Sequence, residues 1–251
     1  DSTRAVRHGH VKVFMKWLRK TGAELPPEIR GLDLTRPAPR RFEQHELITE
    51  ADVRAMLDAN PDVRMRALLY TLWESGLRSG EFRALRVGGV RQAKFGLRLS
   101  LPMGVEGLKT GARTVLVVDC VPYIKAYLDQ HPARGNPDAP LFSSASKRSL
   151  GKPLSSAALN GILKAAARRA GMTKPVWPHL ARHSQCTQKL AQGYPEGLAK
   201  PFFGWTQRSD TIGRYQHPHI QDVEDFELRR RGLVAEGAAG HEMAVEPPHG
   251  A

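Results

Sequence analysis

Apolar residues return every three to four positions along most of the chain, and alternate with polar ones in a single region near its middle. Val6, Val13, Phe14, Trp17 and Leu18 fall at helical spacing, so residues 5–20 read as an amphipathic helix closed by Gly22. Thr49, with Asp52 three positions on, has the form of a helix start continued by Val53, Met56 and Leu57. A helix is predicted over 62–75, stopped at Gly76, and a short one over 78–86. Further helices are predicted from Pro122 to about His131, from a cap at Ser155 or Ser156 to Gly171, and from Pro178 to near Gly193. Three more are predicted over 196–203, 208–216 and 220–231, and a Gly/Pro/Ser loop over 132–154. Between these, 94–101, 104–108 and 113–118 are short alternating or β-branched runs separated by Pro102, Gly104 and Gly111. They predict a small antiparallel sheet of about three strands. The expected fold class is mainly α with a small antiparallel β-sheet (α+β).

Proline sets the domain boundaries. Pro26, Pro27, Pro37 and Pro39 stand among Arg36, Arg40 and Arg41, which makes 25–41 too stiff and polar for a core element. The linker is placed at 35–44. Residues 1–34 are too few to bury a core alone and read as the remnant of a helical N-terminal domain. The first residue is Asp1 rather than Met, so sequence before it is expected to be missing. Residues 45–234 form the main domain, and 235–251, rich in Gly, Ala and Pro, a flexible tail.

Composition narrows the function. The chain has 251 residues, 41% of them hydrophobic, which excludes a wholly disordered chain. Lys and Arg number 38 against 25 Asp and Glu, a formal charge of +13. That balance favours a polyanionic partner and disfavours a cationic substrate. No apolar run reaches the roughly 18 residues of a membrane span, and the first ten residues lack a signal-peptide core. Cys120 and Cys186 make neither a disulfide framework nor a four-thiolate zinc site, and suit free thiols in a reducing cytosol.

Four stretches hold candidate chemistry. In Gly76-Leu77-Arg78-Ser79-Gly80-Glu81, Arg78 and Glu81 are three apart, so a helix puts them on one face. A carboxylate there orients a guanidinium, and an oriented guanidinium fits two phosphate oxygens. Lys109 lies at the turn of Leu108-Lys109-Thr110-Gly111, where a lysine among cations loses its proton more easily and suits a general acid. In Trp177-Pro178-His179-Leu180-Ala181-Arg182-His183, Pro178 opens a helix and places His179 and Arg182 on one face near its N–H groups, a phosphate clamp. His179 and His183 also have zinc spacing, but Leu180 stands where the usual glutamate would be and Arg182 lies between them, which opposes a cation. The last stretch is Phe203-Gly204-Trp205-Thr206 followed by Arg214-Tyr215-Gln216-His217. Taken singly, these stretches read first as a solvated ion pair, a turn lysine, a helix N-terminus with surface histidines, and packing aromatics.

Their order along one chain resembles the tyrosine recombinase (phage integrase) family: Arg78, Lys109, His179-x-x-Arg182, Gly204-Trp205 and Tyr215. The resemblance covers about residues 45–230. Trp205 stands where histidine is commoner, and Trp205 and Tyr215 are ten apart, a pattern closest to archaeal-type integrases. The resemblance implies a tyrosine-recombinase catalytic domain at 45–234, preceded by part of a core-binding domain that clamps DNA. It implies that Tyr215 attacks a DNA phosphate to give a 3′-phosphotyrosine. Arg78 and Arg182 would stabilise the transition state, and His179 would position the phosphate or help remove the phenolic proton. Lys109 would protonate the leaving 5′-oxygen, Trp205 would donate a hydrogen bond, and Glu81 would support them. Arg83, Arg86, Arg113, Lys152 and Arg208 are candidates for DNA-backbone contacts. The implied partners are double-stranded DNA and further copies of the chain, as a tetramer on paired sites. No metal, cofactor, ATP or membrane is implied, and the expected location is the cytoplasm, at the nucleoid. The alternatives are a catalytically inactive DNA-binding accessory protein of the same fold and a type IB-like topoisomerase.

Overall fold

The computed structural model describes residues 2–24, 42–101 and 113–206. The chain divides into two units, Asp1–Glu43 and Gln44–Ala251. In the first, helix α1 (Ser2–Lys20) ends on Arg19 and Lys20, whose charges oppose the negative end of the helix dipole. The Thr21 hydroxyl donates to the Leu18 carbonyl at 2.8 Å, and Phe14 and Trp17 stack with centroids 5.9 Å apart.

The second unit opens with a 3₁₀ turn, Gln44–Glu46, and α2 (Glu50–Asp58). Thr49 and Asp52 form the predicted capping box: the Asp52 N–H donates to Thr49 Oγ1 and the Thr49 N–H to Asp52 Oδ2. Helix α3 (Val63–Ser75) starts where the Asp62 carboxylate accepts the Met65 N–H at 2.7 Å. It is the hub of the unit, touching α2, the strand Thr114–Val117 and the helices Val121–Asp129 and Pro178–Ala191, and Ala67, Leu68, Leu69, Leu72 and Trp73 are buried in it. Gly76 ends it with φ 55°. A Cβ on Gly76 would lie 2.6 Å from Phe203 Cε1, so glycine is required both for the turn and for the close packing.

Helix α4 (Ser79–Ala84) and a 3₁₀ turn, Val87–Gly89, lead into an antiparallel sheet of order β1-β2-β3. Its strands are β1 (Val90–Gln92), β2 (Leu97–Ser100) and β3 (Thr114–Val117). Leu99 faces both Val90 and Val115, while Leu97, Leu99, Val115 and Val117 turn into the core. Strands β2 and β3 lie inside predicted runs. Strand β1 has no predicted counterpart, because three residues, none of them fully buried, carry too little alternation. The run at 104–108 lies outside the described residues.

Helices α5 (Val121–Asp129), α6 (Ser156–Arg169), α7 (Pro178–Ala191) and α8 (Glu196–Phe202) follow close to their predicted places. The predicted loop before α6 is pinned by bridges from Arg86 to Pro140 and from Ser143 to Pro153. The Glu74 carboxylate accepts the N–H groups of Val118, Asp119 and Cys120, tying the end of β3 to α3. Cys120 and Cys186 are free and buried, and burial pushes both thiols well above their ordinary pKa, that of Cys186 to about 12. Among the described residues the architecture is mainly helical with one three-stranded antiparallel sheet, the fold class the sequence predicts. Residues 35–41 of the linker, the helices over 208–216 and 220–231, and the tail lie outside the described residues. Among the described residues no helix is long and apolar enough to cross a membrane.

Candidate functional site

Arg78 follows Gly76 and the buried Leu77 at the point where the chain turns from α3 into α4. Glu81, one helical turn on, accepts the Arg78 backbone N–H at 2.7 Å on Oε2 and its guanidinium Nη1 at 2.9 Å on Oε1. Arg113 Nη2 donates to the same Oε2 at 2.7 Å. Burial alone would raise the Glu81 pKa. The hydrogen bond and charge of Arg113, then the backbone N–H and charge of Arg78, outweigh it and hold the pKa at about 2. The Glu81 side chain is 1% exposed, against 28% for Arg78 and 12% for Arg113.

Arg182 arrives from α7, which opens with Trp177 as its cap and Pro178 at its first position. Its Nη1 donates to the Gly76 carbonyl at 2.6 Å and its Nη2 to the Phe203 carbonyl at 2.5 Å. The guanidinium also lies over the rings of Phe203 and Trp205, 5.2 and 5.5 Å from their centroids. His179, one turn earlier on α7, is exposed at its outer edge, yet its pKa is lowered. Partial desolvation is the largest cause, followed by the charges of Arg182 and Arg78.

The end of α8 explains why the arginines gather here. Gly204, with φ 62°, closes the helix, the Gly204 N–H returns to Pro201 O at 3.1 Å, and the Trp205 N–H returns to Lys200 O at 2.8 Å. This C-terminal motif satisfies the earlier carbonyls and leaves those of Phe202, Phe203 and Gly204. Each accepts one guanidinium: Phe202 from Arg113, Phe203 from Arg182, and Gly204 from Arg78, the last at 3.1 Å. Three cations on the negative end of a helix are favourably placed.

The structure therefore brings Arg78, Glu81, His179, Arg182 and Trp205 into one neighbourhood. Lys109, Arg208 and Tyr215 lie outside the described residues. Of the other backbone-contact candidates, Arg83 donates to the carbonyls of Ser79 and Leu154, and Arg86 to that of Asp138. Lys152 is exposed. Arg113 departs from expectation: its guanidinium is turned inward onto Glu81 and Phe202 instead of outward. The signal that could have shown this is strand alternation, since Arg113, Val115 and Val117 are in phase and the two valines are core. The three carbonyls had no signal in the sequence, because a backbone oxygen has no residue type.

Residues 46–221 match the sequence model of the phage integrase family. The chain belongs to that family. Within it, the chain is 31% identical over 158 residues to a tyrosine recombinase of Synechococcus elongatus, covering 63% of this chain and 46% of the relative. It is 31% identical over 184 residues to tyrosine recombinase XerC of Xylella fastidiosa, covering 70% of this chain and 57% of the relative. The chain thus spans about half the length of these relatives. The integrase of the Tn1549 transposon, solved in complex with a circular intermediate DNA, shares the fold with a TM-score of 0.63 and 15% identity. The match covers 86% of this chain and 75% of the integrase.

Proposed function

We propose that this chain is a site-specific DNA recombinase that cleaves and rejoins strands through a 3′-phosphotyrosine formed on Tyr215. The observation that carries this reading is the convergence of Arg78 and Arg182, from distant parts of the chain, on adjacent carbonyls, with His179 feeling both charges. Moving a phosphodiester to a phenol requires stabilised charge more than a strong base, and two fixed guanidiniums stabilise charge on non-bridging oxygens. The Tyr215 oxygen bonds to phosphorus as the P–O5′ bond breaks. Lys109 supplies a proton to the departing 5′-oxygen, and His179, kept neutral by its surroundings, accepts the phenolic proton. The Trp205 indole N–H donates to the phosphate. The phosphate ester bond is exchanged, not hydrolysed, so rejoining needs no ATP, and the arginines and lysine supply the positive charge that a metal would otherwise bring.

The remaining surplus of the +13 charge binds the rest of the duplex, with Arg83, Arg86, Lys152 and Arg208 on the backbone. In the same reading residues 1–34 belong to a DNA-clamping domain, 35–44 link it to a catalytic domain at 45–234, and 235–251 form a tail. In this reading the enzyme works as a tetramer on paired sites of a mobile element in the cytoplasm, and its Trp205–Tyr215 spacing supports a likeness to archaeal-type integrases.

The test is a pool of nicked suicide duplexes with a randomised core, from which protein–DNA adducts stable to denaturation are collected. The native chain gives adducts that protease releases, and Tyr215→Phe gives none. Absence of adduct with the native chain, or its persistence with Tyr215→Phe, overturns the reading and leaves the inactive DNA-binding protein. Relaxation of supercoiled DNA without exchange between paired sites would instead assign a topoisomerase.

A further inference from the structure

We propose that Arg113 is a positioning residue that locks Arg78 and the carbonyl row of Phe202, Phe203 and Gly204 into one unit, so that strand β3 sets where Arg78 meets a phosphate. The inference rests on the strand-cleavage reading above and assigns Arg113 a part in it other than holding DNA. Three features separate Arg113 from a surface cation. Its backbone is fixed by the sheet: the Arg113 carbonyl accepts the Leu101 N–H at 2.9 Å, extending the β2–β3 ladder by one step. Its side chain is 12% exposed and ion-paired to Glu81 at 2.7 Å, while Nη1 holds the Phe202 carbonyl. And it lies against Gly204, where a Cβ would come within 2.7 Å of Arg113 Nε, so the absent side chain at 204 is the slot that the guanidinium occupies.

The coupling runs through Glu81. One of its oxygens takes Arg78 Nη1, and the other takes both the Arg78 N–H and Arg113 Nη2. Arg113 therefore fixes the plane of the carboxylate, and the carboxylate fixes the plane of the Arg78 guanidinium. Without Arg113, Glu81 keeps its bonds to Arg78 but can rotate with it, and the Phe202 carbonyl loses its donor. A guanidinium displaced by about 1 Å from the reacting phosphate costs on the order of 100-fold in rate.

The experiment uses a nicked duplex selected with the native chain, in two forms. One carries the ordinary phosphate at the cleaved link. The other carries a methylphosphonate there, in which a methyl group replaces one charged oxygen and no longer calls for the full charge of Arg78. Single-turnover adduct formation and equilibrium binding are measured for native chain, Arg113→Met and Arg113→Lys. Arg113→Met is expected to be about 100-fold slower on phosphate and within a few-fold of native on methylphosphonate. Arg113→Lys, which keeps the charge but not the fork joining Glu81 to Phe202, falls between. The salt dependence of binding stays unchanged in both. A rate on phosphate within about threefold of native for Arg113→Met, on the 100-fold scale of a misplaced group, overturns the proposal. So does an equal loss on both substrates, which marks general structural damage. A log–log salt slope shallower by about one makes Arg113 a direct phosphate contact and overturns it too. Should the native chain form no adduct at all, the strand-cleavage reading itself has failed.

Discussion

Replacing Glu81 with glutamine keeps the volume and a carbonyl oxygen for Arg78 while removing the charge that joins two arginines. The folded carboxyl has a pKa of about 2 against an ordinary 4.5. That gap corresponds to about 3 kcal/mol between the ionised and protonated forms. Because the folded pKa is the lower one, the contribution is complete above pH 4.5 and is lost as pH falls from there through about 2. Glutamine imitates the protonated carboxyl, so Glu81→Gln should cost about 3 kcal/mol at pH 7 and less than half of that at pH 3. The neutral-pH value agrees with the roughly 3–5 kcal/mol expected when one partner of a buried pair is removed. Urea unfolding followed by tryptophan fluorescence, for both proteins from pH 7 to pH 3, measures the gap directly. Equal stability at pH 7 would refute the reasoning, as would a gap that does not narrow on acidification.

Three further outcomes can be measured. Gly76→Ala forces a side chain into a backbone with φ 55° and within 2.6 Å of the Phe203 ring. The backbone alone costs about 1–2 kcal/mol, so a fall in Tm should accompany loss of adduct, and an unchanged Tm would contradict the packing described. The His179 imidazole should titrate below 6.5 by proton NMR and move part of the way back in Arg78→Met, whereas a midpoint at or above 6.5 would remove the cation neighbourhood assigned to it. Lys152→Ala should weaken DNA binding uniformly across sequences and lower the log–log salt slope by about one; an unchanged slope would take Lys152 off the DNA face.

A common geometry joins the outcomes at Glu81, Gly76 and His179. The arginines are not held by acidic residues alone: Glu81 serves two, while three backbone carbonyls at the end of α8 take one each. Carbonyl acceptors orient a guanidinium without cancelling its charge, which suits the proposed meeting with a phosphate.

Helices α2, α3, α5, α6 and α7 were legible from the sequence because each buries apolar residues at helical spacing and begins or ends on a residue with the right local chemistry, whereas α1 leaves Val13, Phe14 and Trp17 exposed. Thr49 and Asp62 serve as caps, Gly76 takes the left-handed turn, and Pro178 fills a first position. The pairing of Arg78 with Glu81 was legible for the same reason, since both sit within one helical turn. Strand β1 was not, because three residues carry almost no period. Neither was the partnership of Arg113 with Glu81, nor the seat of Arg182 on Gly76 and Phe203. Local periodicity reports which way a side chain leaves its own element. Which distant backbone oxygen it meets depends on how α3, β3, α7 and α8 pack, and that is decided by the shape of the buried core.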